Sequence, residues 1–265
     1  MEERHISRGR QTGIYTGRCF RGFVNEKGWK IFISVVLISL LICMVTGENT
    51  FVTYQETRSG AFALICACIW IGIFNSVRTI CRERAVIKRE HRTGLHMSSY
   101  LMAHWIYEGV LSLAEAVVVT GIVRVASHGH FIGEGVIFWP SLEIGITFFL
   151  TIFSADALGL LISSIVKTEN TAMTVMPFAL IIQLIMSGMI FDLEGIPEIL
   201  SYFTISRWGL AAVCSSADVN SMSFTTLSDY TSTPEHLLWL WMLLLIFAVF
   251  YGCLAVISLE FVDKT

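Results

Sequence analysis

The chain has 265 residues, of which 54% are hydrophobic and 15% are charged, and its formal net charge is −3. Soluble globular domains carry about 25% charged residues, so this composition excludes a soluble enzyme and a basic nucleic-acid-binding protein. The apolar excess is typical of a membrane protein, in which the positions of Lys and Arg along the chain carry more information than the net charge.

The N-terminal segment 8–27 has Tyr15, Cys19 and Phe23 at helical spacing, with Arg18 and Arg21 on other faces. This pattern predicts an amphipathic helix at the membrane surface whose arginines meet anionic lipid. A disordered basic tail is the alternative, because glycines interrupt the segment.

Six stretches are apolar enough for transmembrane helices, which need about 20 residues each. They cover residues 29–47, 59–80, 99–123, 139–166, 170–191 and 237–259. We expect the first to be permanent rather than a cleaved signal peptide, because a long segment precedes it and no small-residue cleavage site follows. Pro177 is expected to kink the fifth.

Basic residues are concentrated in the tail before the first span and in the loop 82–98 after the second. If both regions face the cytoplasm, the outer loops keep only Arg58, Arg124 and Arg207. The positive-inside rule therefore predicts that both termini are cytoplasmic. The expected location is the cell membrane, as a multi-pass protein of a bacterial plasma membrane.

The loop 82–98 predicts a short cytoplasmic helix between two membrane helices. Charges surround Val86 and Ile87, Gly94 is suited to end a helix, and Ser98 and Ser99 are suited to cap the next one. A tethered helix of this kind either docks on a cytosolic partner and transmits its movement, or is a solvated basic loop that only fixes topology.

Four acids lie within the predicted spans, namely Glu108, Glu115, Glu143 and Asp156. A charge at mid-membrane costs about 2.5 to 3.5 kcal/mol on insertion scales, so such groups need a partner or an aqueous cavity. They form either a proton or cation relay or structural pairs, for example with Arg78, Arg82 or polar groups at the cytoplasmic ends of the spans. Glu143, near the end of its span, is expected to reach water.

The segment 192–236 is polar but contains a stretch, 196–213, that is too apolar for an external loop and too short for a span. It predicts a re-entrant helical hairpin in the outer leaflet, with Pro197 early in a helix and Gly209 at a bend. Cys214, in the same loop, is either a free thiol or half of an intermolecular disulfide.

Sequence motifs for catalysis are missing. The chain has no nucleotide-binding G-x-x-x-x-G-K-[ST] loop and no catalytic set of nucleophile and base. His128 and His130 form an H-x-H without a third ligand nearby, so neither a metal site nor a bound cofactor is expected.

The order of these features resembles the permeases of ABC-2 type (type V) ABC exporters, as in the G subfamily of half-size exporters. Glu83, Glu90 and Gly94 are similar to that family's E-x6-E-x3-G signature, and Tyr100 ends the S-S-Y that follows it. Glu108 matches the acid eight residues after this tyrosine. Further resemblances lie at Ser187-Gly188, 200–203 and 205–209.

The resemblance implies one all-α transmembrane domain over residues 1–265, with 8–27 as its connecting helix and 82–98 as its coupling loop. Glu83 and Glu108 would form a polar cluster. The residues implied to face an ATPase domain are Arg84, Lys88, Arg89, Glu90 and His91. Those implied to line a substrate path are Trp70, Phe74, Phe178, Ile182 and Met186.

The implied function is that of the permease subunit of an ATP-driven exporter for a hydrophobic or amphipathic substrate. Its expected partners are two copies of a separate ATP-binding subunit, which hold ATP and Mg²⁺, a second permease in a homodimer or heterodimer, and membrane lipids, but no nucleic acid. A proton-coupled secondary carrier that uses the intramembrane acids is the alternative.

Overall fold

The computed structural model describes residues 7–46, 50–127, 131–223 and 227–261, and these contain helices and irregular segments without a β-strand. The all-α prediction is therefore confirmed for the described residues. Their helices are α1 (Arg8–Asn25), α2 (Lys30–Thr46), α3 (Tyr54–Ser76), α4 (Thr79–Arg92), α5 (Met97–Ala126), α6 (Pro140–Ile165), α7 (Glu169–Ile185), α8 (Ile196–Ser201), α9 (Ile205–Ser216) and α10 (Pro234–Glu260). Two 3₁₀ turns, Val219–Met222 and Ser228–Tyr230, precede α10.

Membrane-spanning candidates are fewer than predicted. In the described part of the chain, four helical segments are long and apolar enough to cross a membrane, namely α3 with α4, α5, α6 and α10. A fifth results if α1 and α2, which meet at a bend of 74°, count as one span. The structure thus supports four or five candidates rather than six.

The predicted fifth span, 170–191, is shorter as a helix than as an apolar stretch. Its helix, α7, has 17 residues, about 26 Å at 1.5 Å per residue, against a hydrocarbon core of about 30 Å. The chain leaves the helix after Ile185 and turns at Gly188, which has a φ of 73°. Pro177 lies within α7 without ending it.

Helix α4 continues α3 after a short break. The two residues between them, Val77 and Arg78, keep right-handed helical conformations. After α4 ends, Gly94 adopts a φ of 103°, as expected at a helix C-terminus. The prediction that Ser98 and Ser99 cap the next helix is wrong, because α5 begins at Met97. The backbone N–H of His96, at the N-cap position, donates instead to Gln11 Oε1 of α1 at 3.2 Å.

Helix α6 lies at the centre of the bundle, packed against α3, α5, α9 and α10. Its approach to α3 depends on two glycines. A Cβ on Gly72 of α3 would collide with the Ile152 carbonyl oxygen of α6, and one on Gly159 of α6 would collide with the Ser76 hydroxyl of α3. Small residues allow such close crossings in membrane bundles.

The predicted external segment contains α8 and α9. Helix α8 begins at Ile196 with Pro197 in its first turn, as predicted. Gly209 does not lie at a bend but inside α9, where an added Cβ would come within 3.1 Å of Ile65 and Thr151. Its missing side chain therefore brings α9 close to α3 and α6. The Cys214 thiol is free and fully buried, so its sulfur is not accessible for a bridge to another chain.

Candidate functional site

An ionic network ties α1 to α4 and α5, and it consists of Tyr15, Arg18, Glu83, Glu90 and Tyr100. Arg18 is 3.0 Å from the Glu83 carboxylate and 3.8 Å from that of Glu90. The Tyr15 hydroxyl donates to Glu90, and the Tyr100 hydroxyl donates to Glu83 at 3.1 Å. Isolated surface ion pairs contribute little, but a network shared by three helices fixes their relative positions.

The network also changes the properties of its tyrosine on α1. Burial, reinforced by the hydrogen bond to Glu90, raises the pKa of Tyr15 above its ordinary value. The phenol therefore stays protonated and keeps donating throughout the physiological pH range.

Sequence reasoning missed Tyr15 and Arg18 as members of this network. The sequence pattern predicts that Tyr15 lies at the headgroup level and that Arg18 meets anionic lipid, whereas the structure pairs both with acids of α4. Glu83 and Glu90 are seven residues apart and hence on one face of α4, which was the available signal that a cation from another helix pairs with them.

The predicted ATPase-facing residues do not all face outward. Arg84 donates to the carbonyl oxygens of Ser164 and Val166, at 3.2 and 2.6 Å, at the C-terminus of α6. A cation is favoured at that end of a helix, so Arg84 holds α4 onto α6. Glu90 belongs to the ionic network, and His91 Nδ1 lies 3.0 Å from the Leu95 carbonyl oxygen.

The remaining predicted residues, Lys88 and Arg89, lie half-buried and exposed, respectively. The exposed residues of α4 are Arg82, Ala85, Arg89 and Arg92, which share one helix face. Arg82 makes a bidentate contact with Glu26 at 3.1 Å for both hydrogen bonds. The outer face of α4 is therefore basic.

The inner face of α4 is bound firmly to the bundle. Its Ile80 and Ile87 belong to one buried cluster with Tyr100 of α5, Leu160 of α6 and Leu259 of α10. In addition, the Ser163 hydroxyl accepts from the backbone N–H groups at the start of α4, at 3.0 and 3.1 Å. A force on α4 would therefore reach α6, and through the shared cluster also α5 and α10.

A cavity of about 420 Å³ lies between α1, α3, α4 and α5. Both acids of the predicted polar cluster, Glu83 and Glu108, line it, together with His104 and Asn75. Glu83 is paired with Arg18, whereas Glu108 is 2% exposed and its Oε2 has no hydrogen-bond partner among the described residues.

The other intramembrane acids are held by neutral groups. Glu115 accepts from Asn75 at 2.8 Å, and Asp156 accepts from the Ser112 hydroxyl at 2.7 Å. In each carboxyl group the second oxygen is buried without a partner among the described residues.

The suggested pairs with Arg78 and Arg82 do not form. The Arg78 guanidinium lies over the Phe74 ring, and Arg82 contacts Glu26. The expectation that Glu143 reaches water is also wrong, because its carboxylate is fully buried and accepts from the backbone N–H groups of Ile137 and Phe138. It thereby fixes the loop that leads into α6.

The predicted path residues lie on α3 and α7. Trp70 lines a groove of about 180 Å³ between these helices, next to Pro177 and Ile181. Phe74, Phe178 and Ile182 are exposed outside this groove, and Met186 is half-buried at the end of α7. The described chain therefore presents an apolar surface there, without enclosing a path by itself.

His128 and His130, the H-x-H of the sequence, lie outside the described residues. In the part of the chain that the structure describes, no group of three or more His, Cys, Asp or Glu side chains is arranged to hold a metal ion.

The profile of the ABC-2 type transporter family matches residues 10–217. The ABC transporter ATP-binding/permease protein Rv1747 of Mycobacterium tuberculosis is 27% identical to this chain over 226 residues, which are 81% of this chain and 26% of the relative. The chain thus spans about a quarter of the relative that it matches. With a match over most of its length and an all-helical bundle rich in apolar helices, the chain belongs to the ABC-2 type transporter family of multi-pass membrane permeases.

Proposed function

We propose that this chain is the permease of an ATP-driven ABC exporter for a hydrophobic or amphipathic substrate. The observation that carries the proposal is α4, a basic helix whose inner face is attached to α5, α6 and α10 and whose outer face is exposed. Such a helix combines a docking surface with a rigid connection to the membrane helices.

In the proposed arrangement, α2, α3, α5, α6, α7 and α10 cross the membrane and both termini are cytoplasmic. The shorter helices α2 and α7 require local thinning of the bilayer. The concentration of Lys and Arg around α1 and α4 supports this orientation. Helix α1 would lie along the cytoplasmic surface and α8–α9 would dip into the outer leaflet.

The partners of this arrangement are a second permease, in a homodimer or heterodimer, and two ATP-binding units that hold ATP and Mg²⁺. The M. tuberculosis relative is named as an ATP-binding and permease protein, which supports an ATP-binding partner. A separate subunit supplies it in our proposal. The exposed Trp70, Phe178 and Ile182 would face the second permease across the substrate path.

Movement would start at the ATP-binding units. Closure of the ATP-binding units would push the exposed face of α4, and the buried cluster around Ile87 would pass that push to α5, α6 and α10. The ionic network would carry α1 along, because Arg18 bonds both acids of α4. The cavity between the permeases would then open outward.

The test is a charge reversal on the exposed face of α4. We expect Arg89→Glu to weaken co-purification of the ATP-binding unit at least about tenfold, because like charges placed across an interface cost several kcal/mol. Arg21→Glu is the matched control, since Arg21 is an exposed arginine of α1 that donates to the Gly17 carbonyl oxygen of the same helix. Equal retention of the ATP-binding unit by both variants would refute the docking assignment.

A proton-coupled carrier remains a second candidate, and the buried carboxyl groups of Glu108, Glu115 and Asp156 favour it. Each has an oxygen without a partner in the described structure, as expected of a group that exchanges protons. Transport into vesicles separates the two candidates. Transport without ATP that collapses when a protonophore dissipates the proton gradient would support the carrier, and transport that requires ATP would support the exporter.

A further inference from the structure

A groove of about 530 Å³ runs between α5 and α6, at the end of α5 remote from α4. On α5 it is lined by Leu113, Val117, Thr120 and Arg124, which follow one face of the helix. These residues extend over about 16 Å at 1.5 Å per residue, close to half of the about 30 Å hydrocarbon core. The groove therefore has the length of one membrane leaflet.

The opposite wall is formed by α6, which runs antiparallel. Trp139 and Ser141 lie at the same end as Arg124, and Phe149 lies further along the groove. Trp139 is 79% exposed, and tryptophan is enriched at the level of lipid headgroups. Gly121 leaves the groove open, because an added Cβ there would meet nothing within 4 Å.

Two polar groups of the groove are available to a ligand. Arg124 is exposed and contacts the Ser141 hydroxyl and the Phe131 ring, but has no carboxylate partner among the described residues. One helical turn deeper, the Thr120 hydroxyl is buried and has no hydrogen-bond partner among those residues. Deeper in the groove than Thr120, the lining residues Val117, Leu113 and Phe149 are apolar.

We propose that this groove binds one acyl chain of an anionic phospholipid. The phosphate lies at Arg124, an ester carbonyl accepts from the Thr120 hydroxyl, and the acyl chain lies against Val117, Leu113 and Phe149. The order of cation, hydroxyl and hydrocarbon along the groove matches the order of phosphate, ester and chain in a phospholipid. An apolar helix from a second permease would match the deep part of the groove but would leave Arg124 without an anion.

The test measures bound lipid by native mass spectrometry on the complex reconstituted with phosphatidylglycerol or phosphatidylcholine. We expect the wild type to retain phosphatidylglycerol about fivefold better, since a cation near the surface contributes about a factor of five for anionic lipid. Arg124→Gln should remove this preference, and Gly121→Phe should abolish retention of both lipids. Val249→Phe is the control, because it places the same aromatic side chain at an exposed position of α10 outside the groove.

Three outcomes would overturn the proposal. If Gly121→Phe retains lipid as well as Val249→Phe does, no acyl chain lies in the groove. If Arg124→Gln keeps the preference for phosphatidylglycerol, the headgroup lies elsewhere. If Gly121→Phe instead abolishes cross-linking between permeases while lipid retention is unchanged, a second copy occupies the groove. Melting temperatures equal to that of the wild type verify folding, and the readout does not depend on ATP-driven transport.

Discussion

Truncation of Ile87 tests whether α4 is a rigid element of the bundle. Ile87 is 1% exposed and packs in the buried cluster with Ile80, Tyr100, Leu160 and Leu259. Ile→Ala changes in cores cost about 2 to 5 kcal/mol. Because α4 lies at the edge of the bundle, where the surroundings can relax into the space, we expect about 2 to 3 kcal/mol.

This loss should appear first as local opening of α4 rather than as unfolding of the whole chain. A cost of 2 to 3 kcal/mol raises the open population about 30- to 150-fold. Hydrogen exchange followed by mass spectrometry should show this acceleration for the amides of 79–92, whereas the amides of α6 keep their wild-type rates. The stimulation of ATP hydrolysis by the permease should fall together with the local stability of α4.

Val86→Ala is the matched control, since Val86 is the half-buried neighbour of Ile87 on α4. It shortens a β-branched side chain of the same helix by two carbons, against about three for Ile87→Ala, and leaves the buried cluster intact. Equal exchange rates for the two variants would mean that the buried cluster does not hold α4. Acceleration spread evenly over α5 and α6 would show that α4 opens only with the whole bundle.

Two further predictions concern the contact between α3 and α6 and the thiol of α1. Gly72→Leu should destabilise the bundle by at least about 1 to 3 kcal/mol through overpacking, which a strongly lowered melting temperature would show. Gly109→Leu is the control, because an added Cβ at that position makes only ordinary contacts, and it should change the melting temperature little. Burial, with smaller contributions from Glu83 and Glu108, raises the pKa of the Cys19 thiol to about 12. Only the thiolate reacts with iodoacetamide, so alkylation of Cys19 should be very slow at pH 8 and accelerate about tenfold per pH unit as the pH rises towards that pKa; rapid alkylation at pH 8 would contradict the burial.

The long membrane helices could be predicted from the sequence because their apolar runs exceed the length of a span. The residues 59–80, 99–123, 139–166 and 237–259 lie largely within α3 with α4, α5, α6 and α10. For α7 the same reasoning failed at the C-terminal end. An apolar run does not reveal where a helix stops, and here the left-handed backbone at Gly188 lies beyond its end.

Side-chain partners were harder to predict than helices, because most of them are distant in sequence. Arg84 is predicted to face an ATPase domain, yet it donates to carbonyl oxygens at the C-terminal end of α6, which lie 80 and 82 residues away in sequence. Arg18 and Glu83 are 65 residues apart. The partners of Glu143 lie only five and six residues away, but they are backbone amides, which no side-chain pattern reveals.

The near-continuity of α3 and α4 has a mechanical consequence. Together they form a segment of 39 residues, Tyr54–Arg92, about 58 Å long at 1.5 Å per residue. The close crossing with α6 at Gly72 divides this length into arms of about 27 and 30 Å. If the segment and α6, to which α4 is also bound, pivot together at this level, the segment is a lever with nearly equal arms. A displacement at Arg92 would then produce one of similar size and opposite direction at Tyr54, at the other end of the segment.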